Sequence, residues 1–210
     1  MTTRTPRHTP ERVRAVPATA QTEPAARPLR ADARRNRARL VEAARQVLTA
    51  RGSEASIEQI ARAADVGVGT LYRHFPRRID LVEAVYCEDV DALVTLADGL
   101  ADDSDAWPAL ETWLRAFVAY AHTKRTFLTE LHEAFEKNPS LALDSRRKIR
   151  AAAGTVLTHA QATGQARDDV DATDLVQLVA GMCLARDTDE QQSLRLLSVV
   201  LDGIRSRRSS

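Results

Sequence analysis

Apolar residues in this chain recur at the three- and four-residue spacing of helices from about residue 33 to the end, and no stretch alternates long enough to suggest a strand. Leu40, Ala44, Val47 and Leu48 fall at i, i+4, i+7 and i+8 and mark one face of a first helix, with Asp32 as its N-cap and Gly52 as its stop. Ser56 and Gln59 have capping-box spacing and open a second, short helix with Ile57, Ile60, Ala61 and Ala64 on its buried side. Asp65, Val66 and Gly67 make a turn, and a third helix runs through Phe75 until Pro76 stops it. A long helix capped by Asp80 follows to about residue 101, with Leu81, Val85, Leu93 and Leu96 inside. After a break at 102–105, Pro108 suits the first turn of a helix carrying Leu110, Trp113, Leu114, Phe117 and Tyr120. Another helix spans 125–137, ended by Asn138-Pro139. An Ala-rich helix then runs to Thr163 before Gly164, and two more occupy 172–185 and 190–205. The predicted fold is all-α, with no internal repeat.

Composition divides the chain in three. Residues 1–31 hold five of the eight prolines and little apolar content beyond Ala and Val, so they are predicted to be a disordered, arginine-bearing tail. Residues 32–80 form a small three-helix unit, and 81–210 a larger helical domain. The net charge of +1 hides a split: residues 1–80 carry 16 Arg/Lys against 8 Asp/Glu, residues 81–210 carry 14 against 21. The tail supplies half of the basic excess and residues 32–80 the rest, so the front of the molecule is the end suited to a polyanion. No apolar run reaches the length of a membrane span, and the basic N-terminus lacks the apolar core of a secretory signal. Cys87 and Cys183 are too far apart in sequence to suggest a disulfide framework, and a cytoplasmic setting is expected.

The chemistry concentrates at the turn. A helix-turn-helix needs a small residue where its helices cross, supplied by Ala61, and a turn residue that tolerates a left-handed backbone, supplied by Asp65. Leu71 faces inward with Val66 beneath the turn. That leaves Val68, Gly69, Thr70, Tyr72, Arg73 and His74 for a groove. Gly67 and Gly69 each weaken a helix by about 1 kcal/mol relative to Ala, which suits an N-terminus whose amides approach another surface. Thr70 and Tyr72 offer hydroxyls to phosphates, while Val68 and Arg73 reach toward base edges. The plainer alternatives are a solvent-facing His74 and a solvated Arg77-Arg78 pair.

Residues 66–75, VGVGTLYRHF, followed by PRRIDLVEAV and spaced as they are from Ser56-x-x-x-Ile60-Ala61, resemble the N-terminal domain of TetR-family transcriptional regulators over about residues 33–86. The resemblance implies an all-helical homodimer that binds a palindromic operator, with a variable C-terminal domain that usually binds a small-molecule effector releasing DNA. It implies phosphate contacts from Ser56, Thr70, Tyr72, His74 and Arg78, base-facing Val68 and Gly69, and core roles for Leu71 and Phe75. Asp65 stands where the family usually has Gly, and Gly67 where Ser or Thr often caps the recognition helix; both soften the turn. The stretch from Trp107-Pro108 through DDVDATDLVQLVAGMCLA is similar to the C-terminal domain of one subgroup, and names no ligand.

The last two helices are apolar on more than one face, as buried or partnered helices are. A four-helix dimer interface is predicted through Leu175, Val179, Met182, Leu194, Leu197, Leu201 and Ile204, with Leu196, Val199 and Val200 pointing elsewhere. Trp113, Phe117, Tyr120, Phe127, Leu131 and Phe135 are either ordinary core or the wall of a ligand pocket, with His122, Glu130, His132 and His159 as its polar groups. Those polar residues are poorly spaced for a metal, and no cofactor is expected. The function expected is a DNA-binding repressor released by a ligand. The alternatives are an activator, a ligand-independent regulator and, remotely, a helical-bundle enzyme, for which no nucleophile–base spacing, HExxH or phosphate-loop motif is present.

Overall fold

The computed structural model describes residues 26–206 except Asp103 and Arg186, with side chains from Asp32 onward. Of the tail expected at residues 1–31, residues 1–25 lie outside the described residues, while 26–31 are not disordered but form the first turns of a helix. Among those described, nine α-helices and no strand are found: α1 (Ala26–Arg51), α2 (Ile57–Ala63), α3 (Val68–His74), α4 (Arg78–Leu100), α5 (Ala106–Thr126), α6 (Leu128–Lys137), α7 (Pro139–Ala162), α8 (Ala172–Leu184) and α9 (Glu190–Ile204). A single 3₁₀ turn, Gly52–Glu54, joins α1 to α2, and Gly52 takes the left-handed backbone (φ 56°) expected of a helix stop.

Three boundaries differ from the sequence expectation, each for a local reason. Helix α1 begins at Ala26, six residues before the predicted Asp32 cap. Pro28 is its third residue, in the first turn where a backbone N–H has no helical partner to lose. Helix α4 begins at Arg78, with Arg77 rather than Asp80 at the N-cap. Asp80 instead reaches back, accepting from the Arg77 amide at 3.0 Å and from Arg77 Nε at 3.0 Å. These bonds hold its carboxyl below the usual range. Helix α6 starts at Leu128 rather than 125, because Phe127 is buried at a kink between α5 and α6. Arg125 stays in α5 and caps α8 from the side, its guanidinium donating to the carbonyls of Cys183 (3.2 Å) and Thr188 (2.9 Å), where a helix C-terminus favours a cation.

One continuous apolar core runs through both parts of the molecule. In the front part Leu40, Ala44, Leu48, Ile60, Ala61, Leu71 and Phe75 meet Leu81 and Val85 of α4. Ion pairs pin α1 to α4 beside it: Arg37–Glu88 at 3.0 Å and Arg45–Asp89 at 2.6 Å, with Arg37 also 5.3 Å over the Phe75 ring. In the larger part Trp113 is fully buried and donates its indole N–H to the Leu93 carbonyl at 2.9 Å.

The predicted dimer face turns inward. Leu175, Val179 and Leu197 are wholly buried, and Leu201 and Ile204 nearly so, within the protomer's own core. Met182 and Leu194 are half-buried. The reason is that α5 and α7 already cover this stripe. Periodicity identifies an apolar face but not the neighbour that covers it. The outward faces carry Leu178 (54% exposed), Leu184, Leu196 and Val199 (67%) instead.

Candidate nucleic-acid interface and ligand cavity

The unit from Ser56 to Phe75 is built as its sequence suggests. The Ser56 hydroxyl accepts from the Gln59 amide at 3.2 Å, and Gln59 Oε1 accepts from the Ser56 amide at 3.0 Å, completing the capping box of α2. Asp65 takes the left-handed backbone (φ 51°). Arg39, reaching across from α1, clamps this turn through the Ala64 carbonyl (2.5 Å), the Asp65 carbonyl (3.1 Å) and the Asp65 carboxylate (3.2 Å). Sequence reasoning missed Arg39, and no local signal marks it, since its partners lie 25 and 26 residues away.

Helix α3 presents one buried face and one bare face. Leu71 is fully buried and Phe75 nearly so, while Tyr72 is 47% exposed although large and partly apolar. Gly69 and Arg73 are exposed, and Val68, Thr70 and His74 half-exposed, beside it. A side chain at Gly67 or Gly69 would meet nothing within 4 Å, and both lie outside the left-handed region. Packing within the protomer therefore requires glycine at neither position. Arg62 and Arg73 make no ion pair among the described residues. Arg78 is not free in this way: its guanidinium bonds the Ala55 carbonyl and pairs with Glu130 of α6 at 3.2 Å. In this structure Arg78 ties the front unit to the larger domain.

A cavity of about 450 Å³ lies between α4, α5, α7 and α8, walled by Tyr86, Phe117, Tyr120 and Ile149. Of the six predicted wall residues, Phe117 and Tyr120 line it. Trp113 stacks behind Phe117 at 5.4 Å and Phe135 packs edge-on against Tyr86 at 5.3 Å, each one layer back. Phe127 and Leu131 are core. The polar groups also differ from expectation: His122 bonds Ser193 (2.9 Å), Glu130 holds Arg78, and neither these nor His132 and His159 line the space. Lys124, Arg146 and Arg150 do. Lys124 was legible in principle, since it continues the Phe117–Tyr120 stripe at i+7 and i+4. Among the described residues no group of three or more His, Cys, Asp or Glu is gathered to hold a metal, and no helix is long and apolar enough to cross a membrane. Burial pushes both the Cys87 and Cys183 thiols up, away from the reactive thiolate.

The solved structure of TetR transcriptional regulator SCO0520 from Streptomyces coelicolor is 37% identical to this chain, matching 98% of its own length and 81% of this one with a TM-score of 0.73. The chain belongs to the TetR family of transcriptional regulators. A second TetR regulator structure, from Mycobacterium vanbaalenii, is 34% identical over 99% of its length and 85% of this chain, with a TM-score of 0.68. Residues 40–85 match the sequence profile of bacterial regulatory proteins of the tetR family, and residues 105–206 that of an SbtR-like transcriptional regulator C-terminal domain. An HTH-type transcriptional regulator of Staphylococcus aureus (strain USA300) is 38% identical over 76 residues, 36% of this chain. That match spans only 41% of the relative's own length.

Proposed function

We propose that this TetR-family protein is a homodimeric repressor that reads a palindromic operator with α3 and is released from it by a small molecule held in the cavity. The observation that carries the reading is the bare face of α3, stabilised from behind by Leu71 and Phe75 and open from Val68 to His74. In a major groove, Thr70, Tyr72 and His74, with the Ser56 hydroxyl at the start of α2, meet phosphates and set the register. Val68, Gly69 and Arg73 face the bases, Val68 toward a thymine methyl and Arg73 toward guanine. Arg78 plays no part in this contact while it is tied to Glu130.

Two copies join through the outward stripes of α8 and α9: Leu178 with Gly181 on one helix, Leu196 and Val199 with Gly203 on the other. The glycines let helices approach closely, and the exposed leucines and valine supply the apolar area. A twofold dimer sets its recognition helices about one DNA turn, roughly 34 Å, apart. The effector acts by favouring a dimer whose α3 helices no longer match that spacing. This reading puts the protein in the cytoplasm, with its DNA.

The test is selection of bound duplexes from a random pool, followed by titration of the selected site. An inverted repeat bound with a steep salt dependence is expected. Failure to enrich any inverted repeat refutes operator recognition. Reporter transcription that rises rather than falls with the protein present refutes repression.

A further inference from the structure

We infer that the cavity is built for an organic anion, a flat apolar body with one negative group seated on Lys124 beneath a mouth formed by Arg146 and Arg150. The inference rests on the proposed effector site and names the chemistry of its ligand.

Three cations line the cavity and no carboxylate does. The Lys124 ammonium lies 5.6 Å above the Tyr86 ring and 5.9 Å from that of Phe135, with neither an ion pair nor a hydrogen bond among the described residues. Taking an ammonium out of water without a counter-charge is costly. Burial accordingly lowers the Lys124 pKa, with Arg146 adding to the effect. Arg146 and Arg150 also have no acidic partner among the described residues; Arg150 Nε donates only to the Arg146 carbonyl, at 3.3 Å.

The contrast on the same helix is informative. Arg147 and Lys148, turned away from this cavity, are neutralised by Asp144 (2.9 Å) and Asp91 (2.6 Å). The positive charge left unpaired on this stretch of α7 is the charge that faces the cavity. Thr173 and Gln177 of α8 add neutral polar groups to the lining, so the charge there is positive only.

The walls define the rest of the ligand. Phe117 and Tyr120 are stacked at 5.8 Å with rings 21° apart, so they offer successive flat apolar faces. The volume of about 450 Å³ admits a small molecule of two or three fused or linked rings.

The test uses the full-length protein and a matched pair of fluorescent probes, anilinonaphthalene sulfonate and the neutral N-phenylnaphthylamine, which share a body and differ in charge. The wild type is expected to bind the sulfonate at least about tenfold more tightly. Lys124→Met keeps the apolar length of the side chain and should abolish that advantage. The neutral probe should still bind within about threefold, which also reports an intact cavity. Arg150→Gln, at the exposed mouth, should remove a smaller part of the advantage. Equal affinity of the wild type for both probes, or a sulfonate advantage that survives Lys124→Met, overturns the inference. Operator release is scored separately. A sulfonate held through Lys124 that leaves operator binding unchanged refutes ligand-driven release and supports the anion site.

Discussion

The turn before α3 is held by Arg39, and removing that side chain tests whether the clamp matters. Arg39→Ala deletes a charged donor from two backbone carbonyls and a carboxylate. The carboxylate contributes little, because the Asp65 side chain is 97% exposed and such pairs are worth about 0–1 kcal/mol. The carbonyl bonds contribute more, since charge-assisted hydrogen bonds are worth about 1.5–3 kcal/mol, at the lower end for a half-exposed guanidinium. Together these give about 2 kcal/mol, or a fall in Tm of about 4–8 °C for a chain of this size. Asp65→Gly separates the two contributions. It removes the carboxylate and relieves a left-handed backbone that costs a non-glycine residue about 1–2 kcal/mol. Against that, glycine makes the unfolded chain freer, by a similar amount.

Thermal unfolding at one fixed protein concentration therefore should show a clear loss for Arg39→Ala and a net change within about 1 kcal/mol for Asp65→Gly. A Tm for Arg39→Ala within a degree of wild type would refute the clamp. A large loss for Asp65→Gly would show that the carboxylate, not the carbonyls, holds the turn.

Tyr72→Ala should weaken binding to all DNA sequences alike, and a salt titration in which its affinity matches wild type would refute the docking proposed for α3. Val68→Ala should instead alter which operator is selected, with total affinity for mixed DNA little changed. Val199→Asp places a charge on the most exposed apolar residue of α9, which should leave the protomer folded but weaken the dimer by about 3 kcal/mol, roughly a hundredfold in Kd by sedimentation. Breaking the Arg78–Glu130 tie by Arg78→Ala or Glu130→Gln should cost about 1–2 kcal/mol of stability, and a double-mutant cycle that returns no coupling would show the two residues do not interact in solution.

What could be read in the sequence was what is local. The Ser56–Gln59 capping box closes within one helical turn, and the left-handed Asp65 follows from its place between two short amphipathic helices. The start of α1 was obscured because Pro28 was counted with the proline-rich tail, although proline is harmless in a first turn. The α8–α9 faces were inverted for a different reason. Both helices carry apolar residues inside and out, so spacing alone cannot assign Leu175 to the core and Leu178 to the surface. Arg39 escaped altogether, and so did the ties of Arg78 to Ala55 and Glu130, since these partners lie 23 to 52 residues away and only the packed fold brings them together. The cavity was half legible: its aromatic wall stands out, whereas the cations of α7 look like any solvated arginines until the fold sets them beside Lys124.

On the proposed reading, a ligand at the cavity must reach α3, and the connection is short. Tyr86, which walls the cavity, lies on α4 eight residues after Arg78, about 12 Å along the axis at 1.5 Å per residue. Helix α6 touches both ends of that span, through Phe135 against Tyr86 and through Glu130 against Arg78. Arg78 in turn holds the Ala55 carbonyl, one residue before the α2 cap. A ligand that shifts Tyr86 therefore bears on two helices that meet at one guanidinium, and that guanidinium grips the recognition unit. The energies are commensurate. Loosening operator binding tenfold takes about 1.4 kcal/mol, and an effector supplies it only as a difference in affinity between two arrangements. One partly buried, charge-assisted hydrogen bond is worth about that much. On that reading, rearranging the Arg78–Glu130 tie is enough to supply a response of this size, with no large remodelling of the core.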